Sequence, residues 1–477
     1  MIFSSLEFLC VFLPVTYILY LIIPSIKAKN GLLIVASLLF YAYGEPVYVI
    51  LMILSALINY ICACGIFAQK QKNNKGKWVL IINIVLNLGI LCFFKYTGFI
   101  VSSINSAFSL DVPVPNISLP VGISFFTFQA LSYVIDVYED RVKANRNFFQ
   151  VLLYISLFPQ LIAGPIVKYR DISGMITERT VTADKAADGL RGFICGLSKK
   201  VLIANSCGLV ADNVFSADKM QINSIVAWIG ALSYMMQIYY DFSGYSDMAI
   251  GLGKMFGFEF KENFVYPYAA GSIKEFWRRW HISLSSWFKD YVYIPLGGNR
   301  KGKAHTIINK WIVFFLTGLW HGANWTFILW GLYHGAFLMI EELLNTGKKE
   351  KTSSMNIIKG ILSHIYAVIV ICVGFVMFRA DTVSQGIFMI GKMFGGFYNT
   401  SASVSFAWQQ LTPYFIVMFV AAVIGCGPIR LIVEKLKGKE NLTAVKMSLM
   451  TGSVLLLAWC IIRLSAGTYN PFIYFRF

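Results

Sequence analysis

Apolar residues run along this chain in long blocks, separated by short polar loops. Blocks of roughly 18 to 22 apolar residues match the thickness of a hydrocarbon core when helical. They predict helices at about 6–24, 31–44, 47–68, 78–100, 120–138, 148–167, 187–210, 222–241, 309–340, 357–378, 413–432 and 445–464. Several blocks are short or carry Pro and Gly, so re-entrant pieces are expected among them. The first block is apolar from Phe8 onward and lacks a basic n-region and a cleavage site, which reads as a retained spanning helix. No internal repeat and no low-complexity stretch interrupts the pattern. The expected class is an all-α polytopic membrane protein, with residues 1–477 forming one membrane-embedded domain.

Composition agrees. The chain is 57% hydrophobic and only 14% charged, against about 25% charged in soluble domains. Its mean hydropathy is +0.64. The 41 basic and 24 acidic residues leave a net charge of +17. Lys and Arg gather in the cytoplasmic loops of membrane proteins, so this excess marks topology, and nucleic-acid binding is set aside. Lys27 and Lys29, Lys70 to Lys77, and Arg141 to Arg146 mark three cytoplasmic loops and put the N-terminus outside. The stretch 101–119 has no Lys or Arg, as an outer loop should. Lys435, Lys437, Lys439 and Lys446 mark a further cytoplasmic loop, so the tail 465–477 is expected outside. Nine cysteines lie mostly in apolar segments without metal-ligand spacing and read as packing residues; no metal site is expected.

Parity fails at 309–340. A straight crossing would carry Lys348, Lys349 and Lys351 to the outer side, and this segment would run to about 48 Å as one helix. A broken or re-entrant pair meeting near Gly318–Asn324 removes both conflicts. That break would hold His321 near the middle of the membrane. No Asp, Glu, Lys or Arg lies between Trp311 and Trp330. An ionisable group there is costly and reads as functional, and a buried imidazole is a competent general base. Trp320 and Asn324 flank it as candidate substrate contacts. The segment 261–308 has no clear span and is expected to be amphipathic and cytoplasmic-facing.

Other candidates each have a plain alternative. His281 lies in Trp277-Arg278-Arg279-Trp280-His281; as a continuous helix this would place Trp277 and His281 on one face. An interfacial aromatic–basic helix with an incidental histidine is the duller reading. Asp241 and Asp247 sit next to an apolar span and either orient a histidine, contact a polar substrate or tie helices together. Arg300 and Lys301, in Pro295-Leu-Gly-Gly-Asn-Arg-Lys301, suit phosphates but also suit a topological basic loop. His334 repeats a His-Gly pair 13 residues after His321 and either lines the same cavity or packs. The aromatic tail ending at Phe477 reads as an interfacial anchor, or as the carrier of an acyl ester on Tyr474.

Trp320-His321-Gly322 in an apolar stretch, the run Trp277 to Ser285, and Tyr291-Val-Tyr-Ile-Pro-Leu-Gly-Gly-Asn-Arg300 resemble the membrane-bound O-acyltransferases (MBOAT). Tyr240 to Gly253, Phe158 to Ile166 and the opening Met1-Ile-Phe-Ser-Ser are similar to the branch serving bacterial alginate and peptidoglycan O-acetylation. The resemblance covers essentially the whole chain. It implies a ring of about 11–13 transmembrane and re-entrant helices around a central tunnel, in a multi-pass protein of the bacterial cytoplasmic membrane. It implies His321 as general base, His281 as the second family position, and Tyr474 as an acyl relay in the tail. Arg278, Arg279, Arg300 and Lys301 would lie near the donor nucleotide. Acetyl-CoA is the implied donor substrate, with no bound cofactor. An extracytoplasmic SGNH-type partner would acetylate a polysaccharide. Alternatives are transfer of D-alanyl from a carrier protein, and a transporter or flippase using His321 as proton relay.

Overall fold

The computed structural model describes residues 1–162, 164–345, 357–429, 443–467 and 469–471. Among them every regular element is helical. Six helices are long and apolar enough to cross a bilayer: Tyr48–Gln71, Lys77–Phe108, Ala183–Phe215, Trp325–Leu344, Ile357–Arg379 and Met447–Ser465. The bent pair Ser401–Gln410 and Pro413–Gly425 makes a seventh if counted as one span. The helix Ser224–Met255 is 32 residues long but less apolar, because Gln237, Asp241, Ser243 and Ser246 are buried along it.

The chain divides into two compact units, Met1–Phe193 with Tyr245–Glu262, and Ile194–Gly244 with Asn263–Phe477. In the first, an aromatic cluster of Phe3, Phe8, Phe12, Phe40 and Phe158 joins the opening segment to the helix Ile26–Ala42. The spans Tyr48–Gln71 and Lys77–Phe108 are tied by amides: Asn83 donates to Asn59 at 2.9 Å, and Asn59 to Asn87 at 3.0 Å. Lipid offers such groups no partners, so they find one another; each such bond contributes on the order of 0.6 kcal/mol.

The expected span at 148–167 is corrected. It is a nine-residue helix, Phe148–Ser156, and a four-residue turn, Phe158–Leu161, too short to cross. Its two ends meet, for Asn145 donates to Tyr169 Oη at 2.7 Å. Inside the loop the Tyr154 hydroxyl donates to the Val167 carbonyl at 2.9 Å. The segment folds back on itself.

In the second unit, the predicted break at 309–340 is present. One helix, Lys303–His321, ends at the histidine, and the next, Trp325–Asn345, begins four residues later. They run antiparallel. A Cβ on Gly318 would come within 2.5 Å of the Phe327 carbonyl oxygen, and one on Gly331 within 2.4 Å of that of Phe314. The residue numbers of both pairs sum to the same value, as in a hairpin. Each arm is about 30 Å long. A Cβ on Gly322 would meet the Phe327 ring at 2.1 Å, so this glycine makes room for packing at the apex.

Gly331→Leu should force the arms apart and cost about 1–3 kcal/mol. Gly89→Ala, with no atom within 4 Å of the added carbon, should be neutral. Thermal midpoints of the two purified variants, read by intrinsic fluorescence, check the contrast.

Candidate active site

The site is assembled at the hairpin apex. His321 is the last residue of its helix and is buried. Aromatic rings enclose it: Trp320 at 5.0 Å, Trp330 at 5.1 Å and Phe378 at 5.2 Å between centroids. His281 lies on the remaining side, 6.5 Å from His321 and 5.8 Å from Trp320. The structure thus brings together two histidines 40 residues apart, with the predicted Trp320 packed against both.

Trp277 and His281 do not lie on one continuous helix. The helix Ile273–Arg279 stops, Trp280 is extended, and His281 takes a left-handed conformation with φ of 46° before Ile282–Phe288 begins. Such a conformation costs a bulky residue on the order of 1–3 kcal/mol and persists only where its surroundings impose it. Here they do. Ile282 N–H donates to the Asn263 carbonyl and Val265 N–H to that of Arg279, both at 3.0 Å. The Asn263 side chain accepts from Ser283 N–H at 3.0 Å and lies 3.3 Å from His281 Nδ1. The other ring nitrogen, Nε2, has no hydrogen-bond partner among the described residues. The imidazole is fully buried, and Phe242 packs edge-on at 4.6 Å. Burial, reinforced by His321, holds its pKa well below the usual histidine value, so the ring is neutral. Asn263 was not foreseen; nothing local in its neighbourhood of sequence links it to a residue 18 positions on.

His334 is fully buried on the far side of Trp330, 5.2 Å from that ring and 5.3 Å from Trp277. Its closeness to Gly374, where a Cβ would come within 2.6 Å of Nε2, shows that it packs tightly. The second His-Gly pair therefore belongs to the aromatic shell behind the first.

A cavity of about 260 Å³ opens beside this shell. Trp277, Phe314 and Thr317 form part of its lining, with Lys274, Arg278, Lys289, Lys310 and Glu342 among the polar residues around it. Lys310 is paired with Glu342. Thr317 is one helical turn before His321 on the same face, so this cavity approaches the histidine pair.

The other predicted residues are spread more widely. Arg278 lines the cavity, while Arg279 pairs with Glu275 at 2.5 Å. Arg300 and Lys301 are exposed in the turn before Lys303. Asn324 caps the second arm, accepting from Thr326 N–H at 3.1 Å and donating to the Asp381 carbonyl at 3.0 Å. Asp241 forms a buried ion pair with Lys200 at 3.1 Å. Asp247, half-buried, belongs to the first unit. Tyr474 lies outside the described residues. Lys289 and Lys310 were not singled out as contacts, because basic residues are common throughout this segment. Lys200 did have a signal, being an ionisable side chain inside a predicted span.

A multi-pass helical membrane protein with a buried histidine pair at a hairpin apex is the class defined so far. Comparison with known proteins names it: residues 140–384 match the model of the membrane-bound O-acyltransferase family, MBOAT, and the chain belongs to that family. It is an O-acyltransferase. It is 38% identical to a probable alginate O-acetylase of Azotobacter vinelandii over the whole of both chains. A peptidoglycan O-acetyltransferase of Helicobacter pylori is 36% identical over 83% of this chain and 80% of its own length. A teichoic acid D-alanyltransferase of Bacillus subtilis is 27% identical over 69% and 85%.

Asn263→Ala should release His281 and lower acyl transfer on the order of tenfold or more, since small misplacements at a reacting centre are expensive. Asn263→Asp keeps an acceptor facing His281 and Ser283 and should retain more of the rate. Initial rates of the two variants, at matched thermal midpoints, provide the check.

Proposed function

We propose that this protein transfers acetyl from cytoplasmic acetyl-CoA across the membrane, for O-acetylation of an extracytoplasmic polysaccharide. The observation that carries the reading is the buried His281–His321 pair, 6.5 Å apart between ring centres, with a cation-lined cavity reaching Thr317 one helical turn away. Relatives named for alginate and peptidoglycan O-acetylation support the acyl group and the class of acceptor.

Acetyl-CoA is too polar to cross a bilayer, whereas its thioester end is small. Lys274, Arg278 and Lys289 would hold the phosphates at the cavity mouth. The apolar floor by Trp277, Phe314 and Thr317 would take the pantetheine arm toward His321. There His321 removes the proton of an acceptor hydroxyl as its oxygen attacks the thioester carbonyl. The C–S bond breaks, the departing thiolate takes the proton from the imidazolium, and an ester and free CoA result. His281, whose Nδ1 faces the accepting Asn263 side-chain oxygen at 3.3 Å, carries its proton there; its Nε2 is then an acceptor and would orient an N–H of the donor's pantetheine arm.

Tyr474 is our acceptor for the first transfer, its hydroxyl carrying the acetyl group outward as an ester. A partner of the SGNH type, on the outer side, would then pass the group to the polysaccharide. The membrane in question is the bacterial cytoplasmic membrane.

Purified protein with radiolabelled acetyl-CoA tests this. His321→Ala should lower thioester consumption roughly hundred- to ten-thousandfold with an unchanged thermal midpoint; normal consumption would end the general-base assignment. Lys274→Ala with Arg278→Ala should raise KM for the donor several-fold, more at low salt than at high, with kcat nearly constant. Consumption of a D-alanyl carrier protein in place of acetyl-CoA would reassign the donor.

A further inference from the structure

The helix Ala183–Phe215 carries polar groups that the reaction above does not use. Lys200 and Asp241 are each about 1% exposed and lie 3.1 Å apart. A charge pair so deep is costly to assemble, and simple helix tying would not need one. The Lys200 ammonium also donates to the carbonyl of Pro471. Further along the helix, Asn205 donates to the Asn470 side chain at 3.1 Å. Further still, Asp212 accepts from the Tyr469 hydroxyl and is itself held by Arg379. A Cβ on Gly208 would stand 3.2 Å from the Tyr469 ring. Three consecutive tail residues thus meet three polar residues of one helix.

The local geometry explains why these residues line up. Asn205, Gly208 and Asp212 follow helical spacing and share a face. Lys200 is five residues before Asn205 and would fall off that face in a regular helix. The stretch Lys199–Ala204 is π-helical, and Asn205 N–H bonds to the Lys200 carbonyl, so one wide turn brings Lys200 back into the row. Across the row, Gly244 lets the neighbouring helix approach: a Cβ there would sit 2.6 Å from the Gly196 carbonyl oxygen. That close approach puts Asp241 within reach of Lys200.

The order of contacts gives a direction. As the chain advances from Tyr469 to Pro471, its partners step back from Asp212 to Asn205 to Lys200. On the helix this is a retreat of about 18 Å, from its last turn to its middle. The tail, expected to emerge outside after the last span, turns around and descends.

We infer that Lys200, Asn205 and Asp212 form a track that steers the C-terminal segment inward along Ala183–Phe215, with the Lys200–Asp241 pair as its latch. These are positioning residues. Tyr474 follows Pro471 by three residues. What the track does for the reaction rests on the acyl-transfer reading; where it holds the tail does not.

Two measurements on the full chain keep these apart. With Asn205→Cys and Asn470→Cys, and a protease site inserted between residues 346 and 356, mild oxidation should link the two fragments produced by cleavage in most molecules. Failure to link would overturn the track. Tyr469→Phe with Asn205→Ala removes two tail contacts while leaving both ion pairs intact. It should lower acetyl transfer at least tenfold, with kcat affected more than KM for acetyl-CoA and an unchanged thermal midpoint. Lys200→Arg should transfer better than Lys200→Met. Linking without any loss of transfer would keep the track and overturn the relay role of the tail. Loss of transfer without linking would overturn the track and leave the histidine mechanism standing.

Discussion

A charged side chain in hydrocarbon must be neutralised, paired or enclosed, because no water is there to solvate it. Lys200 and Asp241 meet that demand by facing each other across a helix contact so close that Gly244, against the Gly196 carbonyl, could not be much larger. The same demand shapes the Asn59–Asn83–Asn87 amide cluster of the first unit. It also explains the aromatic shell around His321, His281 and His334, which takes the imidazoles out of contact with lipid without offering them a compensating charge. Polar groups in this chain are therefore few, buried and specifically placed.

The histidine site shows how a chemically useful group is held under that constraint. A hairpin whose arms touch through Gly318 and Gly331 can deliver His321 to its apex with little freedom. On the other side, a strained left-handed residue is fixed by two backbone bonds and one asparagine. Rigidity on both sides suits the proton transfer proposed for this site. The adjoining cavity is lined by Lys274, Arg278 and Lys289 beside Trp277 and Phe314, so cationic and apolar surface meet within it.

Much of this was legible in order. The apolar blocks located Tyr48–Gln71, Ile357–Arg379 and Thr443–Ser465 to within three residues, whereas Lys77–Phe108 and Ser224–Met255 run eight and fourteen residues past their expected ends; the charge conflict at 309–340 located the break at His321. The block at 148–167 was misread as a span because apolarity reports burial of any kind, and this segment is buried in protein. The composition of the His281 region left a continuous helix open; the bend is imposed by backbone bonds to residues 263 and 265, which no periodicity of 277–281 contains.

By itself the sequence determined the class of protein, its solvent, and the one histidine whose position demanded an explanation, since hydrophobic run length and isolated ionisable residues are local quantities. It carried family motifs in which His281 and His321 both appear. Only the tertiary structure decided that the two rings lie side by side, that Asn263 sets the first of them, and that the tail is gripped by Lys200, Asn205 and Asp212. Those pairings depend on which helix surfaces can approach to backbone contact. That is settled by matched small residues far apart in the chain, and a single stretch of sequence records only one side of each match.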